Sequence, residues 1–209
     1  TRIEESQIIL SLFNGGVAFF RQDGIAVASV PPERIGTNVS DREYMIAALK
    51  EGKATISRPV IGRFSKSPNF VMAVPVRDTQ GKVIGALAGV TELGRPSFLN
   101  RITESRYGKT GGYLLVAPQH QLIVIATDKR LTMASIPTNG NAPLIDRFIQ
   151  GYEGSGISAN PSGVEVLASA KGIPAAGWYM SASLPTAEAF APIRAMRQRL
   201  LLATIFLTL

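Results

Sequence analysis

Arg42 is the residue with the clearest chemical potential in this sequence. It stands in Ser40-Asp-Arg-Glu-Tyr-Met-Ile-Ala-Ala-Leu, where Ser40 and Glu43 have capping-box spacing and predict a helix opening at Ser40. Gly52 stops that helix. A guanidinium in a first helical turn lies beside backbone N–H groups that the helix leaves free. Together they suit a carboxylate or another small anion. The alternative is that Arg42 pairs with Asp41 or Glu43 and braces the helix. Tyr44 either stacks on a ligand or belongs to the core. Arg58 and Arg63 lie in Ser57–Asn69, a polar stretch with Gly62 and Pro68 that reads as a covering loop. They either add positive charge to a pocket or stay solvated. Phe70 and Met72 alternate on the strand that follows, so they share a face. That face is either a pocket floor or plain core.

Other chemistries find no support. His120 is the only histidine and falls in an expected hairpin turn, with no second histidine for a metal cluster. The chain has no cysteine, which excludes disulfides, cysteine-zinc sites and thiol catalysis. No Walker loop, Gly-x-Ser-x-Gly or paired-carboxylate motif occurs. Neither enzymatic activity nor a cofactor or metal is expected of this region. The 22 Lys and Arg against 15 Asp and Glu leave a net charge of +7, a first pointer to nucleic acid. The basic residues are scattered, however, and the densest group is Arg194, Arg197 and Arg199. Clustering matters more than the total, so no nucleic-acid partner is expected.

The elements that would position Arg42 repeat along the chain. Gly16–Val30 reads as a hairpin about Asp23-Gly24, and Phe70–Val90 as a longer one about Asp78–Gly81. Pro75 must lie at an edge or a bulge, because it cannot donate to a ladder. The Arg42 helix lies between the two hairpins. The second half has a hairpin over Gly112–Ala126, a short helix over Pro143–Gly151, and a hairpin of Val164–Pro174 with Trp178–Leu184. Hairpin, helix, hairpin thus occurs twice, which predicts two small antiparallel α+β modules. Trp178 and Tyr179 are expected in the second core. A helix over Thr186–Arg199, with Pro192 in its first turns, leads into the uncharged run 200–209. That run is about half of the roughly 20 residues a membrane span needs. It is read as the first part of a transmembrane helix, with the arginine cluster at the interface.

The order and spacing of four stretches resemble the double Cache family of extracytoplasmic sensor domains. They are Ser40-Asp-Arg-Glu-Tyr-Met, Ala73-Val-Pro-Val-Arg-Asp-Thr-Gln-Gly-Lys-Val-Ile-Gly-Ala-Leu, Tyr107-Gly-Lys-Thr-Gly-Gly-Tyr and Gly177-Trp-Tyr-Met. The resemblance covers about residues 15 to 190. It implies two tandem PAS-like modules, each an antiparallel sheet with flanking helices. It divides the chain into a signalling helix over 1–14, a membrane-distal ligand-binding module over 15–95, a membrane-proximal module over 96–185, and an exit helix over 186–209. It implies a periplasmic small-molecule sensor in a membrane-anchored receptor, a possible homodimer, and a diguanylate cyclase, histidine kinase or chemotaxis output. The amino-acid-binding branch has Arg-x-Trp-Tyr on the first helix and an Asp at the end of the first module's last long strand. Here Arg42-Glu-Tyr-Met keeps the Arg and puts Tyr44 in the Trp place. The Asp place falls near Val90, beside Thr91, and only Glu92 could supply a carboxylate by turning inward. Taken with the residue readings above, the candidate ligand set is Arg42, Tyr44, Arg58, Arg63, Phe70, Met72 and Thr91. A small carboxylate or other anion suits it better than an amino acid. The competing expectation is a structural, dimerisation or protein-interaction domain whose first pocket is filled by its own side chains.

Overall fold

The computed structural model describes residues 10, 12–62, 65–136, 143–160 and 162–208. The chain divides into two compact units, Thr1–Ile102 with Pro174–Trp178, and Thr103–Ile173 with Tyr179–Leu209. Each unit is built on one antiparallel sheet with few helices, so the fold is α+β as expected.

The first unit contains β1 (Val17–Arg21), β2 (Ala26–Val30), α1 (Glu43–Leu49), β3 (Thr55–Ile56), β4 (Val60–Ile61), β5 (Pro68–Arg77) and β6 (Val83–Glu92). The strand order is β2-β1-β6-β5-β3, with β4 also pairing β5. Both predicted hairpins form. Asp23 closes the first by accepting from the Ile25 amide at 3.1 Å. Asp78 closes the second by accepting from the Gln80 and Lys82 amides, each at 2.9 Å. Partners of β3 reach only Met72 and Ala73, so Pro75 falls where that side of β5 is open. The short strands β3 and β4 lie in and before the stretch expected as loop. Two-residue strands carry no periodicity to read.

Helix α1 begins at Glu43, two residues later than a capping box with Ser40 as N-cap predicts. Arg42 is the N-cap, in extended backbone, and its side chain does not cap. Asn38 diverts Ser40 by accepting from the Ser40 amide at 2.9 Å, and the Arg42 amide bonds to the Val39 carbonyl. A local turn thus takes the place of the first helical turn. The far end is as expected: Gly52 has φ +64°, and the Lys53 amide reaches the Ala47 carbonyl at 3.0 Å. Met45 and Ala48 of α1 are fully buried against Ala18, Phe20, Val71, Ala73, Ala86 and Ala88 of the sheet.

Period two sorts β5 and β6 by face. Val71 and Ala73, with Ala86 and Ala88, face α1. Phe70 pairs Thr91 in register and lies on the opposite face with it. Both are fully buried. Trp178, in the same unit, meets Phe70 edge-on with ring centroids 5.3 Å apart, rather than joining the second core.

The second unit contains the end of α2 (Asn100–Glu104, whose first three residues group with the first unit), β7 (Gly112–Ala117), β8 (Leu122–Ala126), α3 (Pro143–Ile149), β9 (Gly154–Ala159), β10 (Glu165–Ile173), β11 (Trp178–Pro185, whose first residue groups with the first unit), α4 (Thr186–Ala189) and α5 (Ala191–Thr208). Its sheet order is β8-β7-β11-β10-β9. His120 lies in the β7–β8 turn, as expected. Strand β9 falls between the expected helix and the last hairpin, where no element was assigned; pairing with β10 along its whole length makes it an edge strand. Leu144 and Phe148 of α3 close the core with Val116, Ile123, Val166 and Tyr179. Burial pushes the Tyr179 phenol up to about 12. The predicted final helix divides at Phe190 into α4 and α5, with Pro192 in the first turn of α5. Residues 200–207 continue α5 and are exposed. Among the described residues, no helix is long and apolar enough to cross a membrane.

Glu188 on α4 holds the loop before β7. It accepts from the amides of Lys109 at 2.6 Å and Thr110 at 2.9 Å, and from the Thr110 hydroxyl at 2.5 Å. These donors hold its carboxyl below its ordinary value of 4.5.

Phe70→Ala should cost about 3–5 kcal/mol in chemical denaturation, since it empties a closed aromatic site. Thr91→Val should raise stability by about 1 kcal/mol, because the buried Thr91 hydroxyl has no hydrogen-bond partner among the described residues. Glu188→Ala should remove hydrogen-exchange protection from the Lys109 and Thr110 amides while leaving β10 protected. The depressed carboxyl contributes above its unfolded value, so in the unaltered chain this clasp should be present above about pH 4.5 and lost as the pH falls through the lowered folded value.

Candidate ligand-binding site

Small side chains leave room beneath α1. Ala18 and Phe20 of β1, Val71 of β5, and Ala88 and Val90 of β6 form the apolar floor of a cavity of about 70 Å3. Arg34, Thr37, Arg42 and Tyr44 line it from the β2–α1 connection and the start of α1. Ser65 and Asn69 add a polar corner beside Gly62. Asn69 is buried and its Nδ2 donates to Ser65 Oγ at 3.3 Å. A Cβ at Gly62 would lie 2.2 Å from that Nδ2, so a larger residue there would push the Asn69 side chain aside.

Two expected ligand residues, Arg42 and Tyr44, meet at this cavity. Glu43 does not brace Arg42; its carboxylate lies 3.9 Å from Arg58. Among the described residues, Arg42 has no ion-pair partner. Arg58 lines an adjoining recess of about 120 Å3 with Asp41, Arg42 and Tyr44, and is half exposed. Arg63 lies outside the described residues. Phe70, Met72 and Thr91 are not on the cavity wall. Their neighbours Asn69, Val71 and Val90 are, because the strand period puts those on the α1 face. Of the two alternatives left open for Phe70, pocket floor and core, its full burial on the opposite face fits the core.

Arg34 was not singled out by sequence. The available signal was Pro31-Pro32-Glu33-Arg34, a rigid turn directly before the Arg42 segment. Pro32–Arg34 forms a 3-10 turn, and Arg34 Nη2 donates to the Gly15 carbonyl. Arg34 Nη1 is enclosed without a hydrogen-bond partner among the described residues. Burial lowers the Arg34 pKa; the nearby charge of Glu92, then Tyr44 and Glu33, opposes that shift. Glu92 does turn inward, and its side chain is only 9% exposed. It does not line the main cavity. It lies in a second recess with Asn14, Gly15, Arg34 and Arg95, and its carboxylate is 3.5 Å from Arg95. Among the described residues, no group of three or more His, Asp or Glu could hold a metal ion.

Among the described residues, the lining offers an apolar floor, two guanidinium groups, a phenol and small polar groups, a set suited to recognition of a polar small molecule.

The family model for the Cache domain, dCache_1, matches residues 4–193. No curated protein matches the sequence. Solved structures share the fold at low identity. The ligand-binding domain of the Pseudomonas aeruginosa PAO1 amino acid chemoreceptor PctB, in complex with L-Arg, aligns over 90% of this chain and 80% of its own, with TM-score 0.64 and 21% identity. The corresponding values for the V. cholerae histidine kinase DctB sensor domain are 88%, 76%, 0.61 and 16%. Those for the Pseudomonas fluorescens chemoreceptor CtaA ligand-binding domain, in complex with L-alanine, are 88%, 78%, 0.61 and 18%. A sequence match spanning most of the chain and a fold that agrees with it lead to one conclusion: the chain belongs to the Cache domain family.

Proposed function

We propose that this chain is the small-molecule-sensing region of a transmembrane signal-transduction receptor. The observation that carries this reading is the cavity beneath α1, lined by Arg42 and Tyr44, in a chain of the Cache family. The two sheet-based units support a double Cache arrangement, with ligand binding in the first. Arg42 anchors an anionic ligand, Tyr44 contacts it, and Arg58 adds positive charge from the adjoining recess. The sensor faces the periplasm and is anchored through its C-terminal helix. Ligand binding biases two states of the domain, and the bias reaches a cytoplasmic diguanylate cyclase, histidine kinase or chemotaxis output. Only a ligand with unequal affinity for the two states can signal in this way.

Structures of similar fold hold amino acids, as PctB does L-Arg and CtaA L-alanine. This chain has Val90 where an ammonium-binding Asp is expected, and Val90 lies on the cavity wall. Organic anions therefore fit its residues better than amino acids do.

Calorimetric titration with organic acids, amino acids and amines should find an acid that binds. Arg42→Ala should weaken that acid about 10–100-fold, the worth of a charge-assisted contact. An unchanged affinity would remove Arg42 from the site. A panel without any binder, together with a concentration-dependent dimer, would favour the structural or dimerisation role.

A further inference from the structure

We infer that Arg34 is a second anion-binding residue of the cavity, and that the ligand carries two acidic groups, one for Arg34 and one for Arg42. This rests on the sensing role proposed above and specifies the class of ligand.

The charge inventory of the wall is the first observation. Arg34 and Arg42 both line the cavity, and no carboxylate does so among the described residues. Two cations set in an apolar wall lack compensation from that wall. The second observation is the enclosed Arg34 Nη1, which has no hydrogen-bond partner among the described residues. A buried donor without an acceptor is costly, and a ligand oxygen would remove that cost. The third is positioning. Pro32 sets the turn, the Thr37 hydroxyl donates to the Arg34 carbonyl at 2.6 Å, and Arg34 Nη2 is held by the Gly15 carbonyl. A guanidinium tethered at one nitrogen presents the rest of its fork in a defined direction. Glu92 acts on Arg34 electrostatically, but its ion pair is with Arg95 in the second recess. Thr37, Ser65 and Asn69 add uncharged polar groups around the anion sites. A ligand with an ammonium group would meet two cations and no wall carboxylate.

The test uses matched probes that share one carboxylate. Malonate, succinate and glutarate vary the separation of two carboxylates; their monomethyl esters remove one charge; 4-aminobutyrate replaces it with an ammonium. Titrated into this chain at pH 7, at least one diacid should bind 10-fold or more tighter than its monoester, with 4-aminobutyrate weaker still. Arg34→Gln, which keeps an N–H donor for Gly15, should bring diacid and monoester within about 2-fold. Arg34→Lys should retain part of the preference. Unaltered protein that binds monoester and diacid equally overturns the inference, and this comparison needs no variant to fold. So does an Arg34→Gln protein, folded by circular dichroism, that keeps the full preference. Binding of monoacids or amino acids that depends on Arg42, without diacid binding, overturns the inference and leaves the sensing role standing. Absence of any binding overturns both.

Discussion

A strand sends successive side chains to opposite faces, and in the first unit the β5–β6 register decides what each residue can touch. With Val71 opposite Val90 and Ala73 opposite Ala88, the α1 face carries small or slender apolar groups. The same register puts Phe70 and Thr91 on the other face. The space under α1, the polar corner at Asn69 and the aromatic contact with Trp178 all follow from it. A shift of one residue would drive Phe70 into that space and turn Asn69 away.

The two units use one plan with different filling. Six of the ten residues in the first core cluster are alanine, and α1 contributes Met45 and Ala48. Only three are alanine in the second, where α3 contributes Leu144 and Phe148. Alanines save no volume for themselves, so a helix above them leaves a gap unless long side chains reach down. In the first unit that gap is lined by Arg34, Arg42 and Tyr44. The second unit instead ties α4 to the loop before β7, through Glu188 and the Lys109–Thr110 backbone. Unfilled volume marks the first unit, and in the second hydrogen bonds fix α4 against the loop before β7.

Much of this architecture was legible. Hairpins show in alternating apolar residues around Asp23-Gly24 and Asp78–Gly81, because turn chemistry and period two are local. The stop of α1 at Gly52 is local in the same sense. Its start was not, since Asn38 and Val39 form a competing turn that the Ser40–Glu43 spacing does not reveal. Strand β9 was hidden because its Gly-Ser composition becomes a strand only through β10. Trp178 and Tyr179 were adjacent in expectation and in sequence, yet they group with different units.

The sequence by itself determined the family, the α+β class, the hairpins and a short helix that carries Tyr44. These rest on local spacing and on residue types in order. Tertiary structure alone decided which face of β5 meets the cavity, why Val71 and Asn69 stand there instead of Phe70 and Met72, and that Arg34 joins Arg42 on one wall. The physical reason is that facing and enclosure are set by strand register and by the packing of a helix on a sheet. Both are long-range, and neither leaves a mark on the spacing of residues along the chain.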